Sequence, residues 1–172
     1  YIAKLLEKGY KVAICEQTTK PGDQKGIVER KIIREVTPGT KIDSEMLVDN
    51  VNNYLMSIYY SEGAAGVSWV DISTGEFNHV QLDAQVALNL NELLARVAPS
   101  EIICNGEMFA RSTELSIVKF GGVCPFSAFD ESAFAYENAL ECVKENLKDW
   151  KTLSDKKLCV CSSGALLEYL KR

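Results

Sequence analysis

Between residues 54 and 104 the chain reads as three consecutive strand-length segments, then one helix, then a short apolar run, and this order constrains the fold more than any other feature. The segments 54–60, 66–73 and 76–82 are separated by turn signals at Ser61-Glu62-Gly63 and Thr74-Gly75. Such spacing predicts an antiparallel meander. Asp83 is then positioned to cap a helix whose Val86, Leu90, Leu93 and Val97 fall at spacings of four, three and four, with Pro99 as its stop. Ile102-Ile103-Cys104 is short enough to be a buried strand.

The flanking segments are less regular. A helix over 1–8 closes at Gly9, Lys11 to Cys15 reads as a short strand, and 26–37 reads as a long strand ended by Pro38-Gly39. In that strand Ile32 and Ile33 fall on opposite faces, so its register is ambiguous. Residues 40–53 are polar and suit a linker. Further on, 115–120 is a weaker strand candidate, and a helix over about 130–150 carries Tyr136, Leu140, Val143, Leu147 and Trp150 on one stripe. Residues 158–170 favour a last helix. Three meander strands, a helix, a fourth strand and then alternating elements predict an α/β fold, a mixed sheet flanked by helices in the order of the ribonuclease H-like fold.

That order raises a nuclease as a rival reading, because such enzymes hold two metal ions about 4 Å apart between carboxylates. The chemistry needs an acid on the central first strand, and 54–60 contains none. Asp71 on the second strand and Glu101 and Glu107 beside the fourth are the remaining carboxylates. Asp71 is better read as part of the turn through Ser73-Thr74-Gly75. No metal site and no catalytic residue is therefore expected. His79, the one imidazole, has no nucleophile elbow near it, and no phosphate-binding loop is present.

Charge divides the chain. Residues 1–42 hold nine Lys and Arg against five Asp and Glu, a net +4, whereas residues 43–172 hold ten against nineteen, a net −9. Lys25, Arg30, Lys31 and Arg34 could lie along a nucleic-acid backbone, attracting it without regard to sequence. A solvated strand face with cross-strand ion pairs accounts for them equally, since Glu29 and Glu35 are interleaved. The six cysteines have no C-x-x-C pair, which suggests reduced thiols in a cytosolic protein. No run approaches the ~18 apolar residues of a membrane span. Tyr1 precedes a helix without a cap, and the periodicity of Ala165, Leu166, Tyr169 and Leu170 still runs at the end, so a longer parent protein is expected.

Several strings together resemble the MutS family of DNA mismatch repair proteins. These are Lys8 to Gln17, Lys25 to Arg30 and Val36 to Thr40, followed by Asn52 to Leu55, Asp71 to Gly75 and Gly164 to Leu170. The resemblance implies that residues 1–42 are the C-terminal part of a partial α/β mismatch-binding domain, 43–53 a linker, and 54–154 a ribonuclease H-like connector without nuclease activity. Residues 155–172 would then end the connector and begin the first helix toward the lever domain. It further implies a homodimeric parent in the bacterial cytoplasm, associated with the nucleoid, with ATP and Mg bound outside this segment. Mismatched double-stranded DNA and a MutL-like protein are the implied partners. The family's mismatch-reading Phe-x-Glu has its spelling repeated at Phe129-Asp130-Glu131, in an acidic helix start where that role is not expected.

Overall fold

The computed structural model describes residues 2–17, 30–40, 53–115 and 124–171. Lys25, most of the expected linker and residues 116–120 of the weak strand candidate lie outside them. In chain order the elements begin with α1 (Ile2–Glu7), β1 (Val12–Gln17), β2 (Arg30–Val36) and a 3-10 turn at Pro38–Thr40. The meander follows as β3 (Tyr54–Ser61), β4 (Ala64–Asp71) and β5 (Glu76–Leu82), then α2 (Val86–Val97), β6 (Glu101–Cys104) and α3 (Gly106–Arg111). The last group is β7 (Phe126–Ala128), a 3-10 turn at Glu131–Phe134, α4 (Tyr136–Asn146), a 3-10 turn at Trp150–Thr152 and α5 (Lys157–Leu170).

Two sheets result. β1 and β2 form an antiparallel pair, and the five-stranded sheet has the order β5-β4-β3-β6-β7, with β3 central, antiparallel to β4 and parallel to β6. This is the expected mixed α/β arrangement. Even positions of β3 face α2: Met56, Ile58 and Tyr60 pack with Leu90, Leu93, Leu94 and Met108. Odd positions face α5, where Leu55 meets Val70 and Leu166. Each fully buried Leu or Ile contributes about 2 kcal/mol, so the sheet is held from both sides. α4 covers α5 through Ala139, Val143, Cys159 and Val160, with the expected stripe of Tyr136, Leu140, Leu147 and Trp150 at the margin.

Three expectations are corrected and one open register is resolved. β4 begins two residues earlier because the hairpin loop is only Glu62-Gly63, both at positive φ (51° and 84°), the geometry that suits the twist of paired strands. Asp83 does not cap α2: its carboxylate accepts from Gln81 Nε2 at 2.8 Å, and the cap position is Gln85 in a left-handed conformation with no side-chain bond. The expected helix over 130–150 is divided into three, since Asp130 accepts from the Ser132 amide and hydroxyl and Ala135 is extended. That break lets Phe134 turn inward to stack on Tyr59, with ring centroids 5.7 Å apart. Finally, a β-bulge opposite Ile14/Cys15 resolves the register of β2, skipping Ile33 so that Cys15 faces Ile32 and Ile14 faces Arg34.

Candidate functional site

The centre of the large sheet bears directly on the nuclease reading. Ser57 of β3 is paired with Ser68 of β4, and Ser68 Oγ lies 2.8 Å from both Ser162 Oγ and Ser163 Oγ of α5. All four serines are fully buried. The position where metal chemistry would need an acid is therefore a hydroxyl cluster sealed beneath a helix. Among the described residues, no group of three or more His, Cys, Asp or Glu converges on an ion site. Asp71 takes the turn role: its Oδ1 accepts from the Ser73 amide at 2.9 Å and hydroxyl at 2.6 Å, and its carbonyl accepts from the Gly75 amide at 2.8 Å.

Ser57 Oγ finds no partner within this cluster. A buried hydroxyl without a hydrogen bond is unfavourable, and deleting it leaves almost no cavity. Ser57→Ala is thus expected to leave stability unchanged or to raise it by up to about 1 kcal/mol in urea denaturation. A loss of about 1 kcal/mol or more would mean that the hydroxyl has a partner.

The cationic residues lie on β2, where Arg30, Lys31 and Arg34 are exposed. Lys31 stands opposite Glu16 and Arg30 opposite Gln17, so the geometry accommodates cross-strand pairing as well as a phosphate backbone. Arg34 lines a cavity of about 320 Å³ with Lys11, Thr37, Thr40, Ser127 and Tyr169. Lys25, the fourth residue of the set, lies outside the described residues.

Among the described residues, a further polar cluster is one that spacing does not reveal. Glu101, at the start of β6, is fully buried. Its Oε1 receives Lys11 Nζ at 3.0 Å and the Tyr169 hydroxyl at 2.7 Å, while its Oε2 receives the Gly39 amide at 3.1 Å. Lys11 also donates to Tyr169 Oη at 3.0 Å and to Ser127 Oγ at 3.3 Å. Burial by itself would lower the Lys11 pKa, but the Tyr169 hydroxyl and the Glu101 carboxylate outweigh it and hold the ammonium above its ordinary value. Burial, reinforced by Glu101, pushes the Tyr169 phenol up. Both groups therefore keep their protons at neutral pH.

Four of the thiols are quiet. Burial pushes the Cys104 and Cys124 thiols up to about 12 and those of Cys159 and Cys161 to about 11, far from the thiolate range. Desolvation, with Lys156 nearby, lowers His79. The Phe129-Asp130-Glu131 string is structural: Phe129 meets Tyr169 edge-on at 5.1 Å, Asp130 caps the turn at Ser132, and Glu131 Oε2 accepts from the Gly106 amide at 2.9 Å.

Comparison with known proteins agrees with this architecture. Residues 53–172 match the family described as MutS domain II, and residues 1–45 match MutS domain I. The DNA mismatch repair protein MutS of Acetivibrio thermocellus is 42% identical over the whole chain, and that of Ruminiclostridium cellulolyticum is 39% identical over 99% of it. The MutS of Halothermothrix orenii is 40% identical, again over 99%. The chain spans about a fifth of the length of these relatives: 20%, 20% and 19%. With a sheet of the expected order and two consecutive domain matches, the chain belongs to the MutS family of DNA mismatch repair proteins.

Proposed function

We propose that this chain is the joint of a MutS-type mismatch repair protein. Residues 1–42 are the C-terminal part of the mismatch-binding domain, 43–53 a linker, 54–154 a non-catalytic connector, and 155–172 its end together with the first helix toward the lever domain. The segment links binding of mismatched DNA to the lever and ATPase domains, and the connector offers a face to a MutL-like protein. ATP and Mg act elsewhere in the intact protein, which works as a homodimer on the bacterial nucleoid in the cytoplasm. What carries this reading is the succession of a domain I match and a domain II match on one chain, 1–45 and then 53–172. The sealed serine cluster at the sheet centre supports a mechanical connector over a nuclease.

Within this reading Lys25, Arg30, Lys31 and Arg34 contribute sequence-independent attraction to the DNA backbone. Substituting serine for Arg30, Lys31 and Arg34 together in the intact protein is expected to weaken matched and mismatched duplexes about equally. The slope of log K against log salt should fall by roughly two to three units, about one for each phosphate no longer neutralised. An unchanged slope would make the strand a solvated face. For the partner, protection mapping of the intact protein with and without nucleotide and MutL should reveal a footprint on residues 54–154; no footprint in any state would reject the recruitment role.

A further inference from the structure

We propose that Glu101 is a latch that joins the first segment of the chain to its last helix. Four residues distant in sequence meet there: Lys11 beside β1, Gly39 from the 3-10 turn, Glu101 from β6 and Tyr169 from the last turn of α5. Each oxygen of the carboxylate is engaged, Oε1 by Lys11 and Tyr169 and Oε2 by Gly39. The approach of the 3-10 turn is close enough to require glycine, since a Cβ on Gly39 would stand 2.8 Å from Leu55 Cδ1 and 2.9 Å from Glu101 Cβ.

Burial makes the contact cooperative. Glu101 has no exposed surface, so its carboxylate cannot turn to water when a partner leaves, and removing any donor leaves a buried acceptor oxygen short of a hydrogen bond. Lys11 differs, with its side chain 44% exposed. The latch therefore opens in one order: the ammonium moves out to solvent with β1, while Tyr169 and Glu101 remain joined on the connector side. The hydrogen bond to Glu101 and the edge contact of Phe129 hold Tyr169 in register, and the Lys11 ammonium rests 5.3 Å from the Tyr169 ring centroid when the latch is closed. A displacement of the last turn of α5 is thereby passed to the strand pair that carries Arg30, Lys31 and Arg34. This inference goes beyond the connector reading and stands on the contacts alone, so hydrogen exchange tests the latch while DNA and MutL binding test that reading.

The experiment is amide hydrogen exchange on the intact protein and three variants. Tyr169→Phe removes only a hydroxyl from α5, and it is expected to speed exchange in 12–17 and at the Gly39 and Thr40 amides about tenfold or more while 64–71 is unchanged. Glu101→Gln, of equal size, should have the same pattern with a larger increase, and Lys11→Met should free 12–17 while leaving 166–170 protected. Faster exchange confined to the last turn of α5 in Tyr169→Phe, or spread through β3 and β4 in Glu101→Gln, overturns the latch. Should Glu101→Gln not fold, Tyr169→Phe decides alone.

Discussion

Replacing Gly66 with alanine is expected to cost about 4 kcal/mol, near the upper end for a single substitution. A Cβ at this position would lie 2.1 Å from both the carbonyl carbon and oxygen of Leu158 and 2.6 Å from the Cys159 nitrogen. These are backbone atoms in the first turn of α5, and no rotamer change can withdraw them. The helix would have to lift from β4, loosening Leu166 from Leu55 and separating Ser162 and Ser163 from Ser68. Gly164→Ala makes the same argument on the opposite side of the helix, where the new Cβ would stand 2.3 Å from Ala139 Cα of α4. Gly106→Ala is the control, because its nearest neighbour is Glu131 Oε2 at an ordinary 3.5 Å. Urea denaturation should separate the two groups by several kcal/mol. A Gly66→Ala protein within about 1 kcal/mol of the parent would mean that α5 docks with more slack than these distances allow.

The parts of the fold legible in the sequence are those whose determinants are local. Alternation and turn residues mark the meander, and a four-three-four spacing marks α2, because each signal lies within about a dozen residues. β7 and α3 leave no such mark, for a physical reason: β7 has three residues and is defined by its pairing with β6, while α3 spans six, too short for periodicity to show. The apolar stripe in 130–150 is real, but periodicity does not report the local bond between Asp130 and Ser132 that splits the helix. In the sequence Glu101 is only an acid flanking a strand. Its donors Gly39 and Tyr169 lie 62 and 68 positions away, so no local pattern announces them. Only its burial, which the sequence does not reveal, calls for a partner, since a fully buried glutamate is almost never unpaired.

Asn105→Ala is expected to cost about 3 kcal/mol, although the residue looks like an ordinary helix cap. Asparagine just before a helix normally turns its side chain onto the helix amides, yet here it makes no such bond. Its Oδ1 instead accepts from the Tyr60 amide at 3.0 Å, and its Nδ2 donates to the Tyr60 carbonyl at 3.0 Å. The side chain thus imitates one more rung of the parallel ladder between β3 and β6 after β6 has ended at Cys104. Capping of α3 passes to Glu131, which accepts from the Gly106 amide. Alanine would leave two buried backbone groups of Tyr60 without partners, at about 1–3 kcal/mol each. For a chain of this size the melting temperature should fall by roughly 6–12 °C. Asn105→Asp is expected to be at least as damaging, because it keeps the acceptor, loses the donor and buries a charge. Exchange of the Tyr60 amide should accelerate in both variants, and retained protection there would mean that the rung forms without Asn105.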